Sequence, residues 1–390
     1  MWPDAQKHTD MHKHSKSKAD KRNKENITQH AAPRGGAIQE RGGSRSAAVA
    51  IEATVPYLDI PRDNEDWRFV RSFAPVGEEA DARAFLAEYG FCVFRDVLTA
   101  TETAATRNEI LSYIEQTTPG FDAKDEGTWE TWRDAGNTFG MPPPDPAAWW
   151  QPQLARNRRH PRVVASFAQL LATEAKALRC SHDRWALYTR GARTRRNVHL
   201  DINPFMYLNG ADAIAAARRA YAYAGADELF GGHDNLVSAA HGPHLQGTIA
   251  HLDNLEEDAG FLCVPGSHSL FERWADTLRP ETGASGPRYD FPDHSHFHTK
   301  AQRVPVREGS LIVWDVRLVH GSAPDQSPQG VETRPRFVQF VSLRTKDLCD
   351  EGEPTRRKAG LVQRLFKEHG LTEPKDAVER AVAGLPAWIK

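Results

Sequence analysis

Between Trp185 and Leu343 the apolar residues come in short runs broken by Gly, Pro, Asn and Asp. The runs at 184–188, 248–252, 260–264, 311–314 and 337–343 are too short to bury a helical face, and turn-forming residues separate them. Many short strands with frequent turn signals give a β-sandwich or barrel, and a double-sheet jelly roll leaves room for a ligand between its sheets.

Helical spacing brackets this core. Ala82, Phe85, Leu86 and Tyr89 share one face, and Gly90 stands where a left-handed cap belongs. Residues 91–94 read as a strand. Thr101 and Thr103 are candidate caps of a second helix carrying Ile110, Leu111 and Ile114. Val163, Val164, Phe167, Leu170 and Leu171 mark a third. Leu361, Val362, Leu365 and Phe366 mark another, closed by Gly370. Residues 118–152, dense in Trp, Pro, Gly and Asp, read as a long irregular loop. Its tryptophans Trp129, Trp132, Trp149 and Trp150 are either a lid or packing. The expected fold is α+β: a double-stranded β-helix (jelly-roll, cupin-like) core flanked by helices.

Residues 1–50 are rich in Lys, His, Arg, Ser and Gly and poor in large apolar side chains. Such a segment cannot bury enough surface to offset its ordering entropy, so a disordered basic tail is expected. Residues 51–390 then form one domain, helical and loop-rich over 51–180, β over 181–345 and helical over 346–390. Lys18, Lys21, Arg22 and Lys24 leave a nuclear or nucleic-acid role open for the tail alone. A net charge of −2 over 390 residues gives no global attraction to nucleic acid or anionic membrane. No run approaches the ~20 apolar residues of a membrane span, and no apolar signal region opens the chain. Four scattered cysteines (Cys92, Cys180, Cys263, Cys349) suit a reducing compartment, the cytoplasm, with the nucleus as the alternative. Oligomeric state is not legible.

The chemistry starts at His199-Leu200-Asp201. Residues i and i+2 of a strand share a face, so an imidazole and a carboxylate aim at one point. His320, after the apolar run at 311–319, is the candidate third ligand. Two His and one carboxylate form the facial triad of non-haem iron(II) oxygenases, which leaves three positions open. The chain holds a second copy, His251-Leu252-Asp253. Its His runs directly into the 260–268 segment, and order along the chain favours the first copy. A co-substrate carboxylate needs a cation, and an arginine fork suits it. Arg334 and Arg336 share parity, but Pro335 cannot donate to a central ladder, so Arg336 is the first residue safely inside a strand.

These segments in this order resemble the phytanoyl-CoA dioxygenase-like family of iron(II)/2-oxoglutarate oxygenases. The resemblance rests on 90–98, His199-Leu200-Asp201, Gln246-Gly247-Thr248-Ile249-Ala250, Glu257-Asp258-Ala259-Gly260-Phe261, Pro265-Gly266-Ser267-His268, Trp314-Asp315, His320-Gly321-Ser322 and Pro335-Arg336. It implies that His199, Asp201 and His320 bind Fe(II) and that Arg336 and Ser322 hold the far carboxylate of 2-oxoglutarate. It also implies that Gln246 lines the co-substrate pocket, that the turn at 265–268 is structural, and that O2 is consumed with release of succinate and CO2. Halogenating relatives lack the carboxylate, so Asp201 points to hydroxylation or a related oxidation of a small-molecule substrate. Arg190, Arg193, Arg195 and Arg196 are candidates to receive an anionic substrate or are a solvated loop. The rival readings are a metal-dependent cupin-like enzyme that does not use O2, and a silent binding module of the same fold.

Overall fold

The computed structural model describes residues 42–134, 140–143, 145–181, 183–191, 196–201, 245–282, 288–326, 333–345 and 353–385. The expected tail lies, for residues 1–41, outside the described residues, as do Arg193, Arg195 and Cys349.

Among the described residues, twelve short strands make the core: β1 (Phe91–Phe94), β2 (Leu178–Cys180), β3 (Trp185–Tyr188), β4 (Asn197–Leu200), β5 (Leu245–Ala250), β6 (Gly260–Cys263), β7 (Tyr289–Asp290), β8 (Gln302–Arg303), β9 (Leu311–Asp315), β10 (His320–Ala323), β11 (Arg336–Val341) and β12 (Leu343–Thr345). One five-stranded sheet runs β1-β9-β5-β11-β3, a second runs β7-β4-β10-β6-β8, and β12 pairs with β2. Every pairing within these sheets is antiparallel. This is the jelly roll expected from the interrupted apolar runs.

The alternation of side chains decides what faces the space between the sheets. Phe261 and Cys263 of β6 join Ala250, Ile312 and Trp314 of the first sheet in the largest apolar cluster. Leu262, Val198, Leu200 and Ala323 point the other way, into a second cluster outside the second sheet. His199, between Val198 and Leu200, is thereby turned inward. Gly321 follows from the same crowding: a Cβ there would lie 1.9 Å from the Asn197 carbonyl oxygen on β4.

Helices cover the outer faces. Helix α1 (Gly42–Thr54) buries Ala48 and Ile51, and Val55 just after it, against the second sheet. Its Glu52 carboxylate accepts from Trp274 Nε1 at 3.2 Å, Ser295 Oγ at 2.7 Å and His296 N at 3.0 Å. Lys300 donates to the carbonyls of Glu52, Ala53 and Val55 at the helix end. This corrects the boundary expected at residue 51. The helix begins at Gly42, and its apolar stripe is too small to stand out from a polar composition. Helix α2 (Glu79–Tyr89) ends as expected, with Gly90 at φ 80°. Helix α3 (Ala100–Thr117) is capped by neither Thr101 nor Thr103. Thr99 is the cap, with Glu102 reaching back to complete a capping box, a pattern worth about 1 kcal/mol.

The segment 118–152 also departs from expectation. Its described residues form short helices, including Glu130–Asp134 and Pro146–Trp149. Trp129, Trp132, Trp149 and Trp150 are all buried in a third cluster with Trp185, Leu187 and Phe337. Val362, Leu365 and Phe366 of α4 (Glu353–Glu368) close that cluster. The tryptophans are packing, and the lid reading falls. Among the described residues no helix is long and apolar enough to cross a membrane.

Candidate metal centre

His199 and His320 are direct cross-strand partners on β4 and β10. Opposed residues of an antiparallel pair share a face, so both imidazoles enter the space between the sheets. Their ring centroids lie 4.5 Å apart. Asp201, just past the end of β4, completes the group. Its Oδ1 is 3.3 Å from His199 Nε2 and its Oδ2 is 3.5 Å from His320 Nε2. The three ligand atoms all lie within 4.8 Å of one another, and no other metal-competent cluster is found among the described residues.

The protonation states suit a cation. Burial, together with the neighbouring His320, lowers His199 to about 4, which keeps it neutral with a lone pair to give. Burial alone would raise Asp201, but its close contacts with the His199 and His320 imidazoles outweigh it and hold the carboxyl well below the usual range. His320 Nδ1 lies 2.9 Å from the Leu318 carbonyl, so it carries the proton and leaves Nε2 free toward the site. Phe261 stacks on the His320 ring at 5.8 Å, and Trp314 packs against it at 5.2 Å. Ser267 of the 265–268 turn accepts from Val319 N at 3.0 Å, which anchors the residue before His320. His268 of the same turn lies against the Ala87 carbonyl, away from the triad. Two His and one carboxylate are a donor set that fits iron(II).

The second His-Leu-Asp copy does not converge. His251 follows the last residue of β5, is fully buried, and has no partner on either ring nitrogen. Burial lowers it to about 3. Asp253 turns out to accept from Glu308 N at 2.8 Å and lies 3.8 Å from Arg334.

The two arginines separate as sharply. Arg334 is before the strand and its side chain is 44 % exposed. Arg336 opens β11, is buried, and sits over the Tyr188 ring, its cross-strand partner, at 4.8 Å. Burial lowers its pKa, with Tyr188 opposing. Its Nη1 has no hydrogen-bond partner, and no carboxylate among the described residues pairs with it. Leaving a charged donor unmet costs more than the ~1–3 kcal/mol of a neutral one. The guanidinium faces a cavity lined also by Thr248, Ala250, Phe261, Ile312 and Val338. Thr248 Oγ1 in the same cavity is likewise buried and unpartnered. A buried fork beside an orphaned hydroxyl suits a carboxylate, which accepts from both. Phe261 links this cavity to the triad.

Thr248 was missed from sequence. The available signal was parity, since Gln246, Thr248 and Ala250 share one face of β5. Gln246 does not line the Arg336 cavity. It donates from Nε2 to Asp201 Oδ2 at 3.0 Å and accepts at Oε1 from Trp314 Nε1 at 3.0 Å. Ser322 is on the inward face two residues after His320, half-buried, with its N–H donated to Asn197 Oδ1 at 3.0 Å. Of the arginines before the metal motif, the two among the described residues are engaged elsewhere: Arg190 pairs with Glu126, and Arg196 donates to the carbonyls of His298 and Ala301.

Fold and site together define a jelly-roll protein with a two-His, one-carboxylate centre beside a buried cation. Sequence comparison gives the family. The phytanoyl-CoA dioxygenase (PhyH) profile matches residues 86–334. A Dictyostelium discoideum protein named for the same family is 30% identical over 268 residues, covering 66% of this chain and 73% of that one. The chain belongs to the phytanoyl-CoA dioxygenase family. That family uses iron(II), 2-oxoglutarate and O2, and the donor set and the buried cation fit the first two. The crystal structure of GlcNAc Inducible Gene 2 from Candida albicans shares the fold, with a TM-score of 0.50 at 14% identity, covering 89% of this chain and 84% of that one. The epimerase SnoN, solved with Fe3+, alpha ketoglutarate and nogalamycin RO, is more distant, with a TM-score of 0.42 at 16% identity over 71% of this chain and 92% of that one.

Proposed function

We propose that the protein is a non-haem iron(II)/2-oxoglutarate-dependent dioxygenase that hydroxylates a small organic substrate. The reading rests on one observation above all. A metal-competent triad and a buried guanidinium whose Nη1 has no partner flank the same inter-sheet space, and only a ligand with both a chelating end and a carboxylate end uses both.

In this reading His199, Asp201 and His320 hold the iron. Arg336 binds the far carboxylate of 2-oxoglutarate, with Ser322 and Thr248 as the neighbouring hydroxyls. When bound, iron and 2-oxoglutarate together supply the O2 chemistry, with succinate and CO2 as co-products. The chain's own work is placement. The Leu318 carbonyl keeps the His320 proton on Nδ1, so the nitrogen facing the site stays a donor to metal. Phe261 and Trp314 wall His320 and keep water from that side of the centre. The Arg336 contact is the same before and during reaction, so it sets co-substrate affinity more than turnover. We place the protein in a reducing compartment, since Cys92 and Cys263 are buried thiols without a disulfide.

The test is anaerobic addition of iron(II) and 2-oxoglutarate to the purified protein, read as a weak charge-transfer band in the visible. The expected result is a band in the wild type and in His251→Ala, and none in His199→Ala. A wild type that gives no band but binds zinc tightly would make the protein a metal enzyme of another kind. Substrate-dependent succinate release then identifies the substrate and its oxidation.

A further inference from the structure

Gln246 and Trp314 face one another across the β5–β9 ladder. That register, not a flexible loop, brings the Trp314 indole N–H to 3.0 Å from Gln246 Oε1 and the Gln246 amide to 3.0 Å from Asp201 Oδ2. The orientation of the amide follows from chemistry. An indole N–H can only donate and a carboxylate can only accept, so Oε1 must face Trp314 and Nε2 must face Asp201. A neutral side chain that accepts at one end and donates at the other is required here, and glutamine is the residue that reaches. Trp314 is itself held. It is 4 % exposed, lies 4.8 Å from Phe261 and 5.2 Å from the His320 ring. One tryptophan therefore acts on two of the three ligands of the proposed centre, His320 by packing and Asp201 through Gln246.

We infer that Gln246, locked by Trp314, is a positioning residue that orients the Asp201 carboxylate for the metal, and not a residue of the co-substrate pocket. The inference rests on the metal-centre reading above. Asp201 needs such a partner because it lies past the end of β4, where the ladder no longer holds the backbone. Its side chain is 30 % exposed, against 5–10 % for the two imidazoles. An amide donor on Oδ2 fixes the rotation of the carboxylate and leaves Oδ1 for the ion. Partners of this kind are commonly worth 10–100-fold in metal affinity.

The experiment is Co(II) titration of the full-length protein followed by visible absorption, with 2-oxoglutarate binding measured separately on metal-saturated protein. Gln246→Leu should weaken Co(II) binding by roughly 10–100-fold while changing the 2-oxoglutarate Kd by less than about threefold. Trp314→Phe keeps the ring and loses the N–H. It should weaken Co(II) binding by a smaller factor, and add nothing in the Gln246→Leu background, because both changes break one chain of hydrogen bonds. Co(II) affinity within about twofold of wild type in Gln246→Leu overturns the inference. So does a variant that keeps Co(II) and loses 2-oxoglutarate, which would return Gln246 to the co-substrate pocket. Should Gln246→Leu fail to fold, Trp314→Phe decides alone, with unchanged Co(II) affinity as the overturning result. His199→Ala is the control: if it binds Co(II) like the wild type, the metal-centre reading fails, independently of Gln246.

Discussion

The chain contains His-Leu-Asp twice, and the two copies have opposite fates. In the first, β4 turns Val198 and Leu200 outward and His199 inward, and β10 delivers His320 directly opposite. In the second, the strand has ended at Ala250, so His251 and Asp253 follow a turn and do not share a face. His251 is buried with both ring nitrogens unpartnered, and Asp253 caps a loop amide. A tripeptide supplies ligands only when a ladder sets its pleat and a second strand brings a third donor. The arginines repeat the lesson. Arg334 and Arg336 share parity, yet only Arg336 is inside the strand and buried.

The largest effect should separate the two histidines. His199→Ala should weaken metal binding by more than about 100-fold, beyond what loss of a supporting partner costs. His251→Ala should leave metal affinity unchanged. Calorimetric titration of both variants checks this, and a metal site lost with His251 would invert the comparison.

The arginines should differ next. Hydrogen bonds to a charged group contribute ~1.5–3 kcal/mol, so Arg336→Ala should weaken 2-oxoglutarate binding by roughly 10–100-fold. Arg334→Ala should remain within about twofold, since an exposed pair contributes little. Titration of the charge-transfer band gives both values, and equal losses would remove the distinction.

His251 should reveal itself in acid rather than in catalysis. Its folded pKa of about 3 lies below the ordinary 6.5. As pH falls through 6.5 the unfolded chain takes up a proton that the folded chain refuses until about 3, so stability is lost across that window. His251→Leu removes this loss and should gain roughly 1–2 kcal/mol relative to wild type on going from pH 7 to pH 5. Urea denaturation at the two pH values measures it, and the same difference at both would mean that His251 does not titrate this way.

The smallest effect concerns Thr248. Thr248→Val keeps the shape and removes an unpartnered hydroxyl, so 2-oxoglutarate binding should fall by a few-fold, about 1 kcal/mol. Protein stability should hold, because no existing bond is broken. An unchanged 2-oxoglutarate Kd would leave Arg336 as the only residue of the cavity that meets the carboxylate.

Much of this was legible in the sequence. Short apolar runs separated by turn residues carried the jelly roll, and the i, i+2 spacing carried His199 with Asp201. The position of Pro335 carried Arg336, because a missing N–H constrains where a ladder can start. The misreadings share a cause. Thr101 and Thr103 were nearer the apolar stripe than Thr99, but Thr99 alone has Glu102 at the reciprocal distance. Residues 42–50 looked like tail because one small buried residue, Ala48, does not alter composition. The Trp-rich segment looked like a loop because its helices are too short to show a period, while its stability comes from contacts with Trp185 and Phe366, far along the chain.

The sequence by itself determined the fold class, the three metal-competent residues and the cation, since each depends on local rules: pleat, parity and the missing donor of proline. Only the tertiary structure decided that His251 is core, that Thr248 shares the Arg336 cavity, and that Gln246 spans Trp314 and Asp201. Those outcomes depend on which strand lies beside which, and on register across the sheet. Register is set by the burial of whole faces at once and is not encoded in any short stretch of chain.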